Sequence, residues 1–253
     1  MKNVLLAGAV LLAVPLFAHA DDGEWSGSGE AGLALTTGNT KSQNLNVKLA
    51  FKKEDVQWKH NFYVNALRSK GEANGQYDLT ANRFDLGASS GYKFDERSYL
   101  VAAARYENDD FSPYTYQWIV SIGYGYTFIK NAQTEFSAEV GPGYRRSDPR
   151  GYSVISGTPP IETFIDPDVE GNVVARGLVS YKHNFNESTA FENTTLMEAG
   201  SNNTFLQNNA GLSVSMSERL ALKLGYEVRH NSDVSPDKKK TDQLVTTNLV
   251  FKF

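Results

Sequence analysis

Residues 117–128 alternate without a break. Trp118, Val120, Ile122, Tyr124, Tyr126 and Phe128 take one side of the chain, and Gln117, Ser121, Gly123, Gly125 and Thr127 take the other. A repeat of two is that of a β-strand, whose successive side chains point to opposite faces. One face here is large and apolar, the other small and polar. Such a strand is dry on one side and wet or crowded on the other. The same repeat returns at residues 243–253, where Val245, Thr247, Leu249, Phe251 and Phe253 oppose Leu244, Thr246, Asn248, Val250 and Lys252.

Comparable segments fill the chain, with turn signals between them. Apolar faces are carried by Trp25, Ala31, Leu33 and Leu35; by Leu45, Val47, Leu49 and Phe51; and by Trp58, Phe62, Val64 and Ala66. Further on come Phe84 to Phe94, Leu100 to Tyr106, Phe136 to Tyr144, Val173 to Phe185, Leu206 to Met216 and Leu220 to Val228. Residues 191–197 alternate least. Pro142 cannot donate to a ladder, so a bulge or a strand end is expected there. Thr36-Thr37-Gly38-Asn39-Thr40 reads as a tight turn. The count comes to about twelve strands.

Connector lengths separate a membrane barrel from a soluble β-core. Those around Lys53, Asp95, Asn131, Asn186 and Glu218 are short. Those around Gly75, Asp110, Gly157 and Asp237 are long, and residues 146–170 form the longest. Short turns at one end and long loops at the other are the pattern of a bacterial outer-membrane barrel. An even strand number returns both termini to the periplasmic side. Aromatic residues gather at two levels. Trp25, Phe51, Trp58, Phe94, Tyr99, Phe128, Phe136, Phe185 and Phe253 are expected at the periplasmic interface, and Tyr106, Trp118, Tyr144 and Tyr226 at the outer one.

The first residues agree with export. Lys2 is followed by a nearly unbroken apolar run over residues 4–17, then by Ala18-His19-Ala20. That is the pattern of a secretory signal peptide cleaved after Ala20, and too short for a membrane helix. Residues 1–20 are thus expected to be a signal peptide and residues 21–253 an outer-membrane β-barrel. A mean hydropathy of -0.42 fits, because a barrel strand shows lipid only its alternate residues. No cysteine is present, which excludes disulfides, thiolate metal sites and N-terminal lipidation through Cys. A net charge of -4 argues against nucleic acid as a partner.

Two resemblances follow from these residues. The last strand, with Leu249, Phe251 and Phe253 in one phase, resembles the C-terminal strand that the barrel-assembly machinery recognises. The run Trp25-Ser26-Gly27, then Gly32-Leu33, then Thr36-Thr37-Gly38-Asn39-Thr40, resembles the start of the DUF481 family. Its members are described as salt-induced outer-membrane proteins of the YdiY type. The resemblance implies an outer-membrane barrel of unsettled role and supplies no catalytic residues.

The residues themselves suggest no enzyme, cofactor or metal site. Outer-membrane hydrolases place a His and a Ser two apart on one strand, so that both point the same way. His230 and Ser232 have that spacing but sit where a strand meets a loop. His60 and His183 read as residues of the periplasmic rim. Charge is concentrated on the inward phase instead. Lys48, Arg83, Asp85, Lys93, Arg105, Glu107, Glu135, Glu139, Arg145, Arg176, Lys182, Lys223, Glu227 and Arg229 are all expected to face the lumen. Such a wall suits a narrow pore for small polar or ionic solutes. It equally suits a lumen plugged by its own ion pairs, leaving a structural or surface-interaction barrel that acts through its loops. Arg145, Arg146, Arg150 and Lys238 to Lys240 are candidates for lipopolysaccharide phosphates.

Overall fold

The structure is a computed structural model and describes residues 25–36, 42–73, 76–157, 160–234 and 239–253. The signal peptide with its cleavage after Ala20, Gly38 and its neighbours, Gly75, and Lys238 lie outside the described residues. The strands are β1 (Trp25–Thr36), β2 (Ser42–Glu54), β3 (Trp58–Ala73), β4 (Gln76–Lys93), β5 (Ser98–Asp109), β6 (Tyr114–Lys130) and β7 (Thr134–Pro149). They continue as β8 (Tyr152–Ser156), β9 (Ile161–Ile165), β10 (Glu170–Asn184), β11 (Thr189–Gly200), β12 (Thr204–Ser215), β13 (Leu220–Asn231) and β14 (Thr241–Lys252). Twelve of them close an antiparallel barrel in chain order; β8 and β9 form a separate hairpin between β7 and β10.

Alternation decides which face meets lipid. Ile122 is 52% exposed, and Val120, Tyr124, Leu222, Leu224, Val245 and Leu249 are exposed with it. Residues of the inward phase are covered: Val101, Ile119, Val174, Phe205, Ala221 and Val250 are buried. An apolar face exposed all the way around is what a hydrocarbon surround requires. Aromatic rings link around the short-turn rim. Tyr126 meets Phe128 at 5.0 Å, Phe128 meets Phe136 at 5.1 Å, and Phe136 meets Tyr181 at 6.3 Å. Trp58 meets Tyr92 at 5.2 Å and Phe51 meets Phe253 at 5.8 Å. Tyr106 with Tyr116, and Trp118 with Tyr144, mark the other level. Tyr99 does not belong to the lipid girdle as expected. It is buried inside, where Gly125 leaves room for its ring.

The five short turns share one device. Asp55 accepts hydrogen bonds from the N–H groups of Gln57 (2.8 Å) and Trp58 (2.6 Å), and Asp95 from those of Arg97 and Ser98, both at 2.7 Å. Asn131 does the same with Gln133 and Thr134, Asn186 with Ser188 and Thr189, and Ser217 with Leu220. A short polar side chain that bonds the backbone two and three residues ahead replaces the ladder where the chain reverses.

The far end departs from expectation in four places. Residues 69–77 are not a loop, because β3 runs to Ala73 and β4 starts at Gln76. The connection at Asp110 is short, since β5 ends at Asp109 and β6 begins at Tyr114. Residues 146–170 contain the end of β7 and the β8–β9 hairpin. Above the membrane both faces of a hairpin are wet, so its strands lack apolar alternation although their ladders persist. Pro142 neither ends β7 nor bulges it. It stays in register opposite Ala175 of β10, and β7 runs on to Pro149. The β6–β7 ladder skips Ile122 and Gly123 opposite Pro142 and Gly141 without changing register. A Cβ at Gly123 would stand 2.8 Å from the Val140 carbonyl oxygen, so both strands need glycine at this approach.

The barrel closes where β14 meets β1, with Ser28 opposite Lys252 through to Ala31 opposite Leu249. Gly27 N donates to the Phe253 carbonyl (2.7 Å), and Phe253 N donates to the Gly27 carbonyl (3.0 Å). A Cβ at Gly27 would strike the Phe253 ring. Leu249, Phe251 and Phe253 are all exposed on the outer face.

Two predictions follow from this wall. Ile122→Lys should cost roughly 2–4 kcal/mol of folding stability in lipid vesicles, as a charge on the lipid face near the midplane does. Gly123→Val should fail through the β6–β7 ladder, with loss of amide protection at Ser121 and Gly143. Unchanged folding of Ile122→Lys would reverse the face assignment. The second prediction concerns acid. The N–H groups of Arg97 and Ser98 hold the Asp95 carboxyl below the usual carboxylate range, and those of Trp58 and Gln57 do the same for Asp55. A folded-state pKa lowered in this way gives stability that is present above the unfolded value of about 3.9 and is lost as pH falls through the folded one. Urea unfolding below about pH 4 should therefore show less acid loss in Asp55→Asn/Asp95→Asn, where the amide keeps the turn. An identical acid loss in the variant would contradict this.

Candidate functional site

The inner phase of the barrel brings arginines and carboxylates together across the lumen. Arg105 on β5 forks onto Glu198 of β11, with Nη2 at 2.5 Å from Oε2 and Nε at 3.2 Å from Oε1. Its Nη1 donates to Glu107 Oε2 at 2.8 Å. The same Glu107 oxygen accepts from Arg229 Nη2 at 2.6 Å. Arg229 lies on β13, which in the ring order stands directly across from β5. This ion pair therefore spans the barrel. The Phe205 ring lies against both guanidinium groups, 4.9 Å from Arg105 Cζ and 5.0 Å from Arg229 Cζ. A flat cation over an aromatic ring is favourable, more so away from water.

A second bridge flanks this layer. Arg83 Nη2 lies 2.5 Å from Glu227 Oε1, and Gln207 Nε2 donates to the other oxygen at 3.0 Å. Arg83 also stands 3.8 Å from Asp85, which accepts from Asn65 at 2.8 Å. Arg145 is 1% exposed and donates Nη2 to the Asn203 carbonyl at 2.5 Å. It is turned inward and out of reach of lipopolysaccharide, the other role suggested for it. Arg146 and Lys240 remain exposed, and Arg150 folds back onto the carbonyls of Asp109 and Ser112.

Towards the short-turn end the lumen opens. Arg176 pairs with Glu139 at 3.1 Å, and Tyr99 donates its hydroxyl to the same carboxylate. Below lies a cavity of about 470 Å³ lined by Glu30, Lys182, Glu192, Ser213 and Lys223. Lys223 bonds Glu30 at 2.8 Å and stands 3.7 Å from Glu192, which Lys182 approaches to 3.9 Å. Lys48 points inward on β2 beside this group and is only partly exposed. At the rim Lys93 pairs with Glu54 at 2.5 Å, and Lys59 stands 3.9 Å from Glu135. All fourteen charged positions singled out on the strands lie on the inner phase, most with a partner of opposite sign.

Glu198, Phe205, Glu30 and Glu192 are central to this arrangement and were not singled out. β11 hid two of them, because Asn193 and Thr195 on its outer face erase the apolar repeat. The even spacing of Glu192 and Glu198 is the one signal that places both on the same face. Each described histidine is held by a neighbour. His60 stacks on Trp58, His183 bonds Thr134, and His230 bonds Thr241 while Ser232 bonds Asn203 and Thr204. Among the described residues no three His, Cys, Asp or Glu converge at metal-binding range.

An apolar exterior, two aromatic levels and a charge-spanned interior define an outer-membrane-type β-barrel. The chain belongs to the family described as "Protein of unknown function, DUF481", whose profile matches residues 29–253. It is 22% identical over 260 residues to the uncharacterized protein YdiY of Escherichia coli (strain K12), over 97% of this chain and 94% of that one. Two solved barrels have the same fold at TM-score 0.50. One is the translocator domain of the autotransporter NalP from Neisseria meningitidis, 11% identical over 94% of this chain and 90% of that one. The other is the COG4313 outer membrane channel from Pseudomonas putida F1, 8% identical over 93% of this chain and 97% of that one.

The prediction from this site concerns stability. Removing one partner of a buried ion pair costs roughly 3–5 kcal/mol, and loss of Glu198 leaves Arg105 to share Glu107 with Arg229. Glu198→Ala should show that loss in urea unfolding from vesicles, and Arg105→Met/Glu198→Leu should recover most of it. A fully stable Glu198→Ala protein would contradict the pairing.

Proposed function

We propose that the protein is an outer-membrane barrel with a narrow, weakly conducting passage for small ions and polar solutes. Two observations carry this reading: a charged cavity lies at the short-turn rim, and the Arg105–Glu107–Arg229 span crosses the lumen. Mixed charge in a tight tube makes a strong local field with little net sign, so passage is slow and ion preference modest. In this reading the signal peptide ending at Ala20 directs export, and the barrel-assembly machinery engages the strand bearing Leu249, Phe251 and Phe253. The link to salt or osmotic response rests on the family resemblance.

A second reading has its own observation. Arg105 and Glu198 fill the lumen, while the β8–β9 hairpin holds Ile155, Ile161 and Phe164 at 63–70% exposure. A plugged barrel that binds a surface partner through this hairpin would look the same. Planar-bilayer recording separates the two. Folded protein should give small conductance steps. Arg105→Gln should shift preference towards cations, because Glu198 loses its counter-charge and Glu107 keeps only Arg229. The shift should shrink near 1 M salt, where the Debye length is about 3 Å. Complete silence from folded protein would overturn the passage and favour the hairpin.

A further inference from the structure

β11 and β12 carry a polar cluster on the face turned to lipid. By strand phase Asn193, Thr195 and Asn208 point outward, while Glu192, Glu198 and Gln207 point into the lumen. Apolar lipid-facing residues lie on both sides of the cluster along each strand. Phe191 and Met197 bracket it on β11, and Leu206 and Leu212 bracket it on β12. The cluster thus sits within the hydrocarbon band rather than at its edge. There a bare amide has no water to bond, and an acyl chain offers neither donor nor acceptor.

The three side chains first bond one another. Asn208 Nδ2 donates to Asn193 Oδ1 (3.1 Å) and to Thr195 Oγ1 (2.7 Å), and Asn193 Nδ2 donates to Asn208 Oδ1 (3.2 Å). Both amide hydrogens of Asn208 are then used. Asn193 keeps a second N–H, and Asn208 Oδ1 keeps a second lone pair. A spare donor therefore stands beside a spare acceptor. Such an edge is complementary to itself: turned about a two-fold axis, the donor of one copy meets the acceptor of the other, twice. Ala199, Ala210 and Gly177 on the same outer face keep the surroundings low, so a second wall can approach.

We propose that this patch is the contact between two copies of the chain in the membrane, paired wall to wall through β11 and β12. The proposal does not depend on whether the lumen conducts.

The chain has no cysteine, so a single one reports cleanly. Ala210→Cys lies at the patch, and Ala88→Cys lies on the outer face of β4, across the barrel. Purified full-length protein in lipid vesicles would be oxidised at low protein-to-lipid ratio. Ala210→Cys should form a covalent dimer and Ala88→Cys should stay monomeric. Adding Asn193→Val and Asn208→Val to Ala210→Cys should abolish the dimer while heat-modifiable migration persists. Three outcomes overturn the proposal: a monomeric Ala210→Cys protein, which would leave the patch to a different partner; equal dimer from Ala88→Cys; or dimer that survives loss of both amides.

Discussion

A strand that crosses hydrocarbon has no water for its backbone, so every N–H and C=O must find a neighbouring strand. A sheet with two open edges breaks that rule, and a closed ring obeys it. The rest of this molecule is a consequence of closure. β1 and β14, far apart in sequence, must meet, and they do so in register from Ser28 opposite Lys252 to Ala31 opposite Leu249. This seam is shorter than the one between β13 and β14, which runs from Leu220 to His230. Gly27 and Phe253 complete it with a reciprocal pair of backbone bonds, the ring lying over the glycine.

Closure at twelve strands also fixes an interior. Eight strands would leave a lumen that side chains fill, and sixteen an open channel. Twelve leaves a width that long side chains can bridge, and Arg is the longest planar donor available. Arg83, Arg105, Arg176 and Arg229 each meet a carboxylate from another strand, as when Arg105 reaches Glu198 and Arg229 reaches Glu107, while Arg145 bonds the Asn203 carbonyl. The bridges tie opposite walls together at one level and leave a cavity of about 470 Å³ on one side of it. The same side chains thus brace the barrel across its lumen.

Much of this was legible in the sequence because lipid imposes a simple repeat. Wherever Val, Leu and aromatic residues alternate with small or charged ones, as on β6 and β13, the phase of each strand follows. The repeat is silent where its cause is absent. At the outer ends of β3 and β4 water lies on both faces, so Ser69 to Tyr77 looked like a loop although Ser69 to Ala73 and Gln76 to Tyr77 are paired. On β11 the outward Asn193 and Thr195 replaced the apolar signal, and Glu198 went unnoticed with them. Pro142 misled in another way. Its missing donor leaves Ile122 and Gly123 out of the β6–β7 ladder, yet β7 keeps its register on both sides. Which charges meet across the lumen was never written locally, because Arg105 and Glu198 are joined only by closure.

A lumen constricted at the layer of Arg105, Glu107, Glu198 and Arg229 would slow any probe that enters from the long-loop end. Ser213→Cys would place a thiol in the cavity below that layer in an otherwise cysteine-free chain. Membrane-impermeant thiol reagents of two sizes, added outside sealed vesicles that hold the purified protein with its long-loop end outward, would have to pass the layer to reach it. A small charged reagent should label Ser213→Cys slowly and a bulky polymer-linked one not at all, with both reacting once the vesicles are permeabilised. Rapid labelling by both from outside would contradict a constricted lumen.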